Sequence, residues 1–267
     1  MNFRGLSCTG KTSLLTSIVA QSILPSTWEF QVGEDTFSID LGGSGASVIF
    51  LDLDLQFTVN RLYSVALYRV TNAIENSPHE IKTKLLGRDE SIQKLILESL
   101  GRCHLFKIAS IEDFSNTLYG LPRWFEKHSE ENVQFVMIDS LSSLLWSKED
   151  QTGINHHMYG SQTEKVHIQI TKIIRQMQAK WNFVLCTTSR KIAASTADEL
   201  PPCWTKFWDF CLDLNRYDND QTKQLADYHC QLVRSSRSHV PLETSHAQFG
   251  LRYTIKDNDI VTFDDIE

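Results

Sequence analysis

The chain has 267 residues, 41% of them hydrophobic and 22% charged, which is enough apolar material for the core of one large domain and excludes wholesale disorder. No apolar run is long enough to span a bilayer and the amino terminus lacks the order of a secretory signal, so a soluble intracellular protein with no membrane partner is expected. With 26 Lys and Arg against 33 Asp and Glu the net charge is −7, which disfavours a protein whose affinity comes mainly from neutralising the phosphates of duplex DNA. The six cysteines (Cys8, Cys103, Cys186, Cys203, Cys211, Cys230) form no C-x-x-C pair, so neither a zinc site nor a disulfide framework is expected.

The first element is Gly5-Leu6-Ser7-Cys8-Thr9-Gly10-Lys11-Thr12, which fits G-x-x-x-x-G-K-[ST] at every fixed position. Leu14, Leu15, Ile18 and Val19 continue at helical spacing, so the turn opens a helix. Such a turn directs backbone N–H groups and the positive end of a helix dipole at a polyphosphate. Gly5, Thr9, Gly10, Lys11, Thr12 and Ser13 are therefore expected to bind a nucleotide, with Lys11 on the β and γ phosphates and the Thr12 hydroxyl on Mg²⁺. Only Met1 to Arg4 precede Gly5, whereas a P-loop normally follows a buried strand of about five or six residues. The strand is expected either to be cut to Asn2 and Phe3 or to begin upstream of Met1.

Residues 26–47 contain GEDTF and GGSGAS and read as a flexible insertion with one short strand from Thr36 to Leu41. Ser47 to Phe57 (SVIFLDLDLQF) begins as a nearly unbroken apolar run, which suits a strand covered on both faces. Asp52 and Asp54 close it and are read as facing opposite ways, so that one of them approaches the γ phosphate and positions the attacking water. Ile92, Leu95, Ile96 and Leu100 then mark an amphipathic helix. Val133 to Trp146 (VQFVMIDSLSSLLW) repeats the strand pattern, and Asp139, an acid that follows four apolar residues, is expected to be the second magnesium partner.

A polar loop follows from Ser147 to Gln162. Its adjacent His156 and His157 are read as solvated side chains rather than metal ligands. Val166, Ile170, Ile173, Ile174 and Met177 mark a helix, Asn182 to Ser189 (NFVLCTTS) a third buried strand, and Arg190 to Pro202 a second polar loop. Because each loop follows a buried strand, both are placed on the ligand's edge of the sheet. After Leu200 the pattern changes to short strands at Phe210 to Asn215, Tyr228 to Arg234, Phe249 to Ile255 and Ile260 to Phe263, with Asp257-Asn258 turning the last two into a hairpin. Arg234, Arg237 and His239 form the best local basic cluster. Taken together, the elements predict one α/β domain over residues 1–267: three layers around a mainly parallel sheet, a ligand at its carboxyl edge, and a β-rich antiparallel extension over 200–267.

GLSCTGKTSLL, VIFLDLDLQFTVNRL, FVMIDSLSSLLW and FVLCTTS resemble, in order and spacing, the core of the RecA-type recombinases, and more closely their eukaryotic paralogues. SLGRCHLFKIAS, QLVRSS and FGLRYTI extend the resemblance over most of the chain. It implies a RecA-like P-loop fold, ATP and Mg²⁺ as ligands, and a nuclear role in homologous recombination and DNA double-strand-break repair. It also implies work in a hetero-oligomeric complex with other recombinase paralogues, through which the chain reaches single-stranded or branched DNA. On this resemblance Lys11 and Thr12 fall on the phosphate and magnesium positions and Asp139 on the second acidic position. Asp54 falls on the glutamate that positions water, and Ser189 on the glutamine that senses the γ phosphate.

An aspartate is shorter than a glutamate by one carbon–carbon bond, about 1.5 Å, and serine is too short to act as that glutamine does. Hydrolysis is accordingly expected to be slow or absent. The two polar loops correspond to those that touch single-stranded DNA in recombinases. Each is near charge balance here, Lys148 against Glu149 and Asp150, and Arg190 and Lys191 against Asp198 and Glu199, which falls short of the basic, stacking track a filament needs. No counterpart of the recombinases' upstream docking segment precedes Met1, so filament assembly by that route is not expected. Two other readings stay open: an active DNA-dependent ATPase with Asp54 as base, and a small-molecule P-loop kinase, which the Asp139-Ser140 pair and the hairpin-rich tail fit poorly.

Overall fold

The computed structural model describes residues 1–85, 87–143, 156–191, 200–217, 226–234, 250–256 and 260–263. The chain starts in a strand, β1 (Asn2–Gly5), and passes through the glycine turn into helix α1 (Lys11–Ile23). Short as it is, β1 is central: Phe3 pairs in parallel with Thr188 on one side and Leu212 on the other. It sits between β7 (Val184–Arg190) and β8 (Phe210–Tyr217). Beyond β7 follow β6 (Val133–Asp139), β4 (Ser47–Asp52) and the edge strand β5 (Cys103–Lys107), so six neighbouring strands run parallel. Beyond β8, the strands β9 (Ala226–Arg234), β10 (Gly250–Lys256) and β11 (Ile260–Phe263) continue the same sheet antiparallel to nine strands. The expected carboxyl-terminal antiparallel extension is therefore fused to the central sheet. The Asp257-Asn258 turn lies outside the described residues.

Every residue of β4 is buried, as a strand covered on both faces requires. One face carries Phe3, Val48, Phe50 and Met137 against α1, α2 (Val59–Glu75) and α4 (Asp89–Leu100). The other carries Ile49, Leu51, Val136 and Ile138 against α5 (Ile111–Lys127) and α6 (His156–Trp181). Two helical layers on one sheet give the three-layer arrangement that the alternation of strands and helices predicted. In α6 the predicted face holds, with Ile170, Ile174 and Met177 each no more than 2% exposed. Helix α5 starts at Ser110, whose hydroxyl accepts from the Asp113 N–H at 3.0 Å, and buries Phe114, Leu118, Leu121 and Phe125 at 3–4 residue spacing. The short helices α3 (His79–Leu85) and α7 (Pro202–Thr205) complete the set among the described residues.

Residues 26–47 are not a loose insertion. They form a hairpin, β2 (Thr27–Val32) and β3 (Asp35–Asp40), whose Trp28, Phe30 and Ile39 are buried in the core. Period-two alternation makes one face of the pair apolar, and that face must be covered. The glycine-rich stretch behind it closes α1: Gly45 and Ala46 donate to the carbonyls of Leu24 and Ser22, each at 2.8 Å. These are carbonyls that the end of a helix leaves open. A side chain at Gly43 would put its Cβ 2.0 Å from the Leu24 carbonyl oxygen, so glycine is needed there for close approach rather than for flexibility.

In the middle of the sheet, Arg4 of β1 grips Asp213 of the neighbouring β8 in a two-pronged pair, Nε to Oδ1 at 2.6 Å and Nη2 to Oδ2 at 2.9 Å. Burial alone would push the Asp213 carboxyl up. Hydrogen bonding and charge from Arg4, with Lys191 behind it, bring it below the usual carboxylate range instead.

Candidate functional site: a glycine turn facing a buried carboxylate

The turn from Gly5 to Thr12 leaves β1 at its carboxyl end, and its shape depends on both glycines. A Cβ on Gly5 would stand 2.5 Å from the Thr9 hydroxyl oxygen and 2.6 Å from the Leu214 carbonyl oxygen of β8. Gly10 caps α1 with φ 74°, in the left-handed region that only glycine enters freely. No acidic side chain occupies the first turn of α1 and no side chain caps it, so its open N–H groups face the turn without a carboxylate of their own.

Lys11 folds back over the turn and donates from Nζ to the carbonyls of Gly5, at 3.0 Å, and Leu6, at 2.6 Å. Burial lowers its pKa below the ordinary lysine value, against which Asp139 and Asp54 act as opposing charges. The Thr12 hydroxyl donates to Asp139 Oδ2 at 2.7 Å. Asp139 is 1% exposed at the end of β6, and Thr188 of β7 donates to its other oxygen. Burial raises the Asp139 pKa although both hydroxyls favour its ionised form. Lys11, Thr12 and Asp139 thus come together as expected.

Asp52 and Asp54 do part, but not through strand alternation, which puts residues two apart on one face. β4 ends at Asp52, which is fully buried and accepts from the Gln56 and Phe57 N–H groups, closing the turn into α2. Asp52 is therefore a structural acid, its pKa raised by burial. Asp54 lies beyond the strand, exposed, and its Oδ1 accepts from Ser140 at 3.2 Å and from Ser143. Its main chain is tied to the same place, with the Asp54 N–H on the Asp139 carbonyl at 3.1 Å.

Ser189 is not brought to this cluster. The register pairs Phe3 with Thr188, so Thr188 shares the α1 face of the sheet with Asp139 while Ser189 points to the opposite layer. There it is buried and accepts from Asn2 Nδ2 at 2.9 Å. The Ser13 hydroxyl is likewise turned aside, accepting from Arg61 Nη2 of α2 at 2.7 Å.

Sequence reasoning missed Thr188, although alternation counted back from Asp139 through the parallel register would have found it. It also missed Tyr253. This fully buried side chain of β10 donates from its hydroxyl to the Thr9 carbonyl at 3.3 Å, so the distant carboxyl-terminal extension props the glycine turn from below. No local pattern signals a contact between residues so far apart in the chain. Tyr253→Phe is expected to cost about 1 kcal/mol and to speed amide exchange within residues 5–10. Exchange there that stays at the parent rate would show that the hydroxyl does not steady the turn.

The polar loops expected at the ligand's edge fall mostly outside the described residues, at 144–155 and 192–199. α6 begins at His156, so His156 and His157 open a helix and do not lie in a loop. Of the second loop, Arg190 donates its N–H to Ser142 Oγ at 2.7 Å and Lys191 its N–H to the Gly5 carbonyl at 3.1 Å, anchoring both beside the glycine turn. The side chain of Arg234, with Arg237 and His239, lies outside the described residues.

Among the described residues no cluster of three or more His, Cys, Asp or Glu side chains offers a metal cage. A divalent ion beside Thr12 and Asp139 would take its remaining ligands from phosphate and water, which is how Mg²⁺ is usually held in nucleotide sites. The local chemistry fits: the Thr12 hydroxyl spends its single proton on Asp139 and keeps its lone pairs for a cation. Fold and site together define an α/β protein with a glycine turn, a lysine and a buried aspartate at the carboxyl edge of a six-stranded parallel sheet. A scan against protein-family models finds no match. No helix among the described residues is long and apolar enough to cross a membrane.

Proposed function

We propose that this chain is an ATP-binding, RecA-like paralogue of the recombinases that assists homologous recombination and DNA double-strand-break repair and hydrolyses ATP slowly or not at all. The observation that carries the nucleotide reading is the Thr12–Asp139 contact of 2.7 Å at the mouth of a glycine turn whose lysine lies across it. In this reading Lys11 leaves the Gly5 and Leu6 carbonyls for phosphate oxygens, the open N–H groups of α1 cradle the phosphates, and Thr12 and Asp139 face the Mg²⁺. Bound ATP and Mg²⁺ supply a compact, highly charged group at the sheet edge, where a second subunit can contribute the balancing charge.

Weak turnover is supported by Asp54 and Ser189. Asp54 carries two serine hydroxyls on one of its carboxylate oxygens, which hold it beside Ser140 and Ser143, and Ser189 is buried on the far face with Asn2. The resemblance carries the rest of the proposal: a nuclear location, other recombinase paralogues as partners, and contact with single-stranded or branched DNA through their complex.

The second reading, an active DNA-dependent ATPase, draws on one observation: Asp54 is exposed and lies near enough to Lys11 to act on its charge. Phosphate release from the purified chain, followed while single-stranded DNA is titrated in, separates the two. The proposal expects MgATP binding with no more than marginal release at any DNA concentration. Release at recombinase-like rates, abolished by Lys11→Ala, would establish the second reading instead.

A further inference from the structure

Further along α1 from the glycine turn, a cleft of about 680 Å³ opens between the outer edge of β3 and helix α2. It uses no residue of the nucleotide site, and three features bear on what it holds.

The first is Arg69, on the α2 wall. Its guanidinium donates from Nη1 to Gln21 Oε1 and from Nη2 to the Ser17 hydroxyl, at 2.9 Å, and the Ser17 carbonyl, at 3.4 Å. These acceptors are all neutral, and among the described residues no carboxylate pairs with it. Burial lowers its pKa, which reflects the cost of holding a charge there without a counter-charge. An arginine carries five N–H donors in a planar fork suited to a carboxylate; the three contacts leave part of that fork unused, and Arg69 lines the cleft.

The second feature is β3 itself, which among the described residues pairs only with β2. The Leu41 N–H reaches back across the hairpin to the Ser26 carbonyl at 2.8 Å, which fixes the phase of the ladder. Ile39 and Phe37 therefore point their main-chain groups at β2, and Ser38 and Asp40 point theirs outward. Both of these residues line the cleft.

The third feature is length. The α2 wall runs from Val65 to Asn76, the residue that caps the helix, about 16 Å along its axis, which is room for roughly four or five residues of extended chain. A small organic anion would satisfy Arg69 and leave the strand edge unused. An extended peptide uses both.

We propose that this cleft receives an extended acidic segment of a partner protein, which adds as a third strand to β3 while one of its carboxylates pairs with Arg69. Main-chain pairing supplies affinity and the arginine selects sequence, as in other cases of strand addition. Asp40, whose carboxylate accepts from the Gly42 N–H at 2.8 Å, stands on the rim and repels an acid directly opposite it, so the acidic position is confined to the Arg69 end.

The test is to pan a phage-displayed random heptapeptide library against the folded full chain and to measure the enriched peptide by fluorescence anisotropy. The expected result is enrichment of Asp or Glu beside β-branched residues. Affinity should then fall tenfold or more in Arg69→Gln, in Ser38→Pro, which removes an outward N–H, and for the peptide with its acid changed to the amide. Ser38→Ala keeps the N–H and should bind as the parent does, and the amide peptide needs no altered protein. Enrichment without acids, or affinity indifferent to both Arg69→Gln and the amide change, overturns the proposal. Full displacement of the peptide by free glutarate, with Ser38→Pro binding as the parent does, also overturns it, because it shows a small-anion pocket.

Discussion

Replacing Lys11 by alanine is expected to weaken MgATP binding by about a hundredfold or more, because a charge-assisted hydrogen bond contributes about 1.5–3 kcal/mol and the ammonium makes more than one. The fold should tolerate the change. Among the described residues the ammonium bonds the Gly5 and Leu6 carbonyls and makes a long contact with Thr9, and burial already disfavours its charge. Isothermal titration with MgATP, paired with a thermal melt, checks both halves. A variant that binds as tightly as the parent would remove Lys11 from the site, and one that no longer folds would make it a structural residue.

Asp139→Asn is expected to raise stability near neutral pH while cutting the Mg²⁺-dependent part of ATP affinity by about ten- to a hundredfold, the range seen when groups that orient a metal are lost. The stability half follows from linkage. The folded-state pKa of Asp139 is raised by burial, so folding favours its protonated form. That contribution is complete below the ordinary carboxylate value and is lost as pH rises through the raised one, so at neutral pH the parent carries the cost of a buried charge. The amide removes that cost, and its melting temperature should exceed the parent's by a few degrees at pH 7.5. The gap should close as pH is lowered and the parent takes up its proton. Asp52 shares the sign of Asp139, whereas Asp213, with a lowered pKa, loses its contribution as pH falls. The difference between the two melting profiles reports Asp139 together with Lys11, Asp52 and Asp54, the charges linked to it, whereas Asp213 contributes alike to both. A gap that widens toward acid pH would contradict the assignment.

The two predictions rest on residues that were legible in the sequence for a physical reason. A glycine turn followed at once by helical periodicity, and an acid closing a run of four apolar residues, are local patterns, and the fold keeps both. The central strands were legible in the same way, because burial on two faces demands an unbroken apolar run, and β11 falls on its predicted bounds.

What was not legible depended on contacts distant in the chain. The glycines of residues 42–45 read as flexibility, whereas Gly43 lets the chain approach the end of α1 too closely for a side chain and Gly42 and Gly45 each take φ +61°, in the left-handed region. Thr188 and Ser189 are adjacent in sequence but face opposite layers, and only the register with β6 and β1 decides which of them meets Asp139. Asp54 lies past the end of β4, where a strand pattern carries no information about direction. Helix α5 had a readable apolar stripe behind a Ser110 cap, but Pro122 within it argues locally against a helix.

In the proposed nucleotide site the Gly5–Thr12 turn wraps a triphosphate with Asp139 facing it across the metal. A crystal structure of the chain grown with Mg²⁺ and a non-hydrolysable ATP analogue tests it most directly. The phosphates should lie inside the turn, with Lys11 Nζ moved from the Gly5 and Leu6 carbonyls onto phosphate oxygens and Thr12 Oγ1 about 2.1 Å from the ion. A nucleotide bound elsewhere, or Lys11 still on its carbonyls at saturating nucleotide, would contradict it.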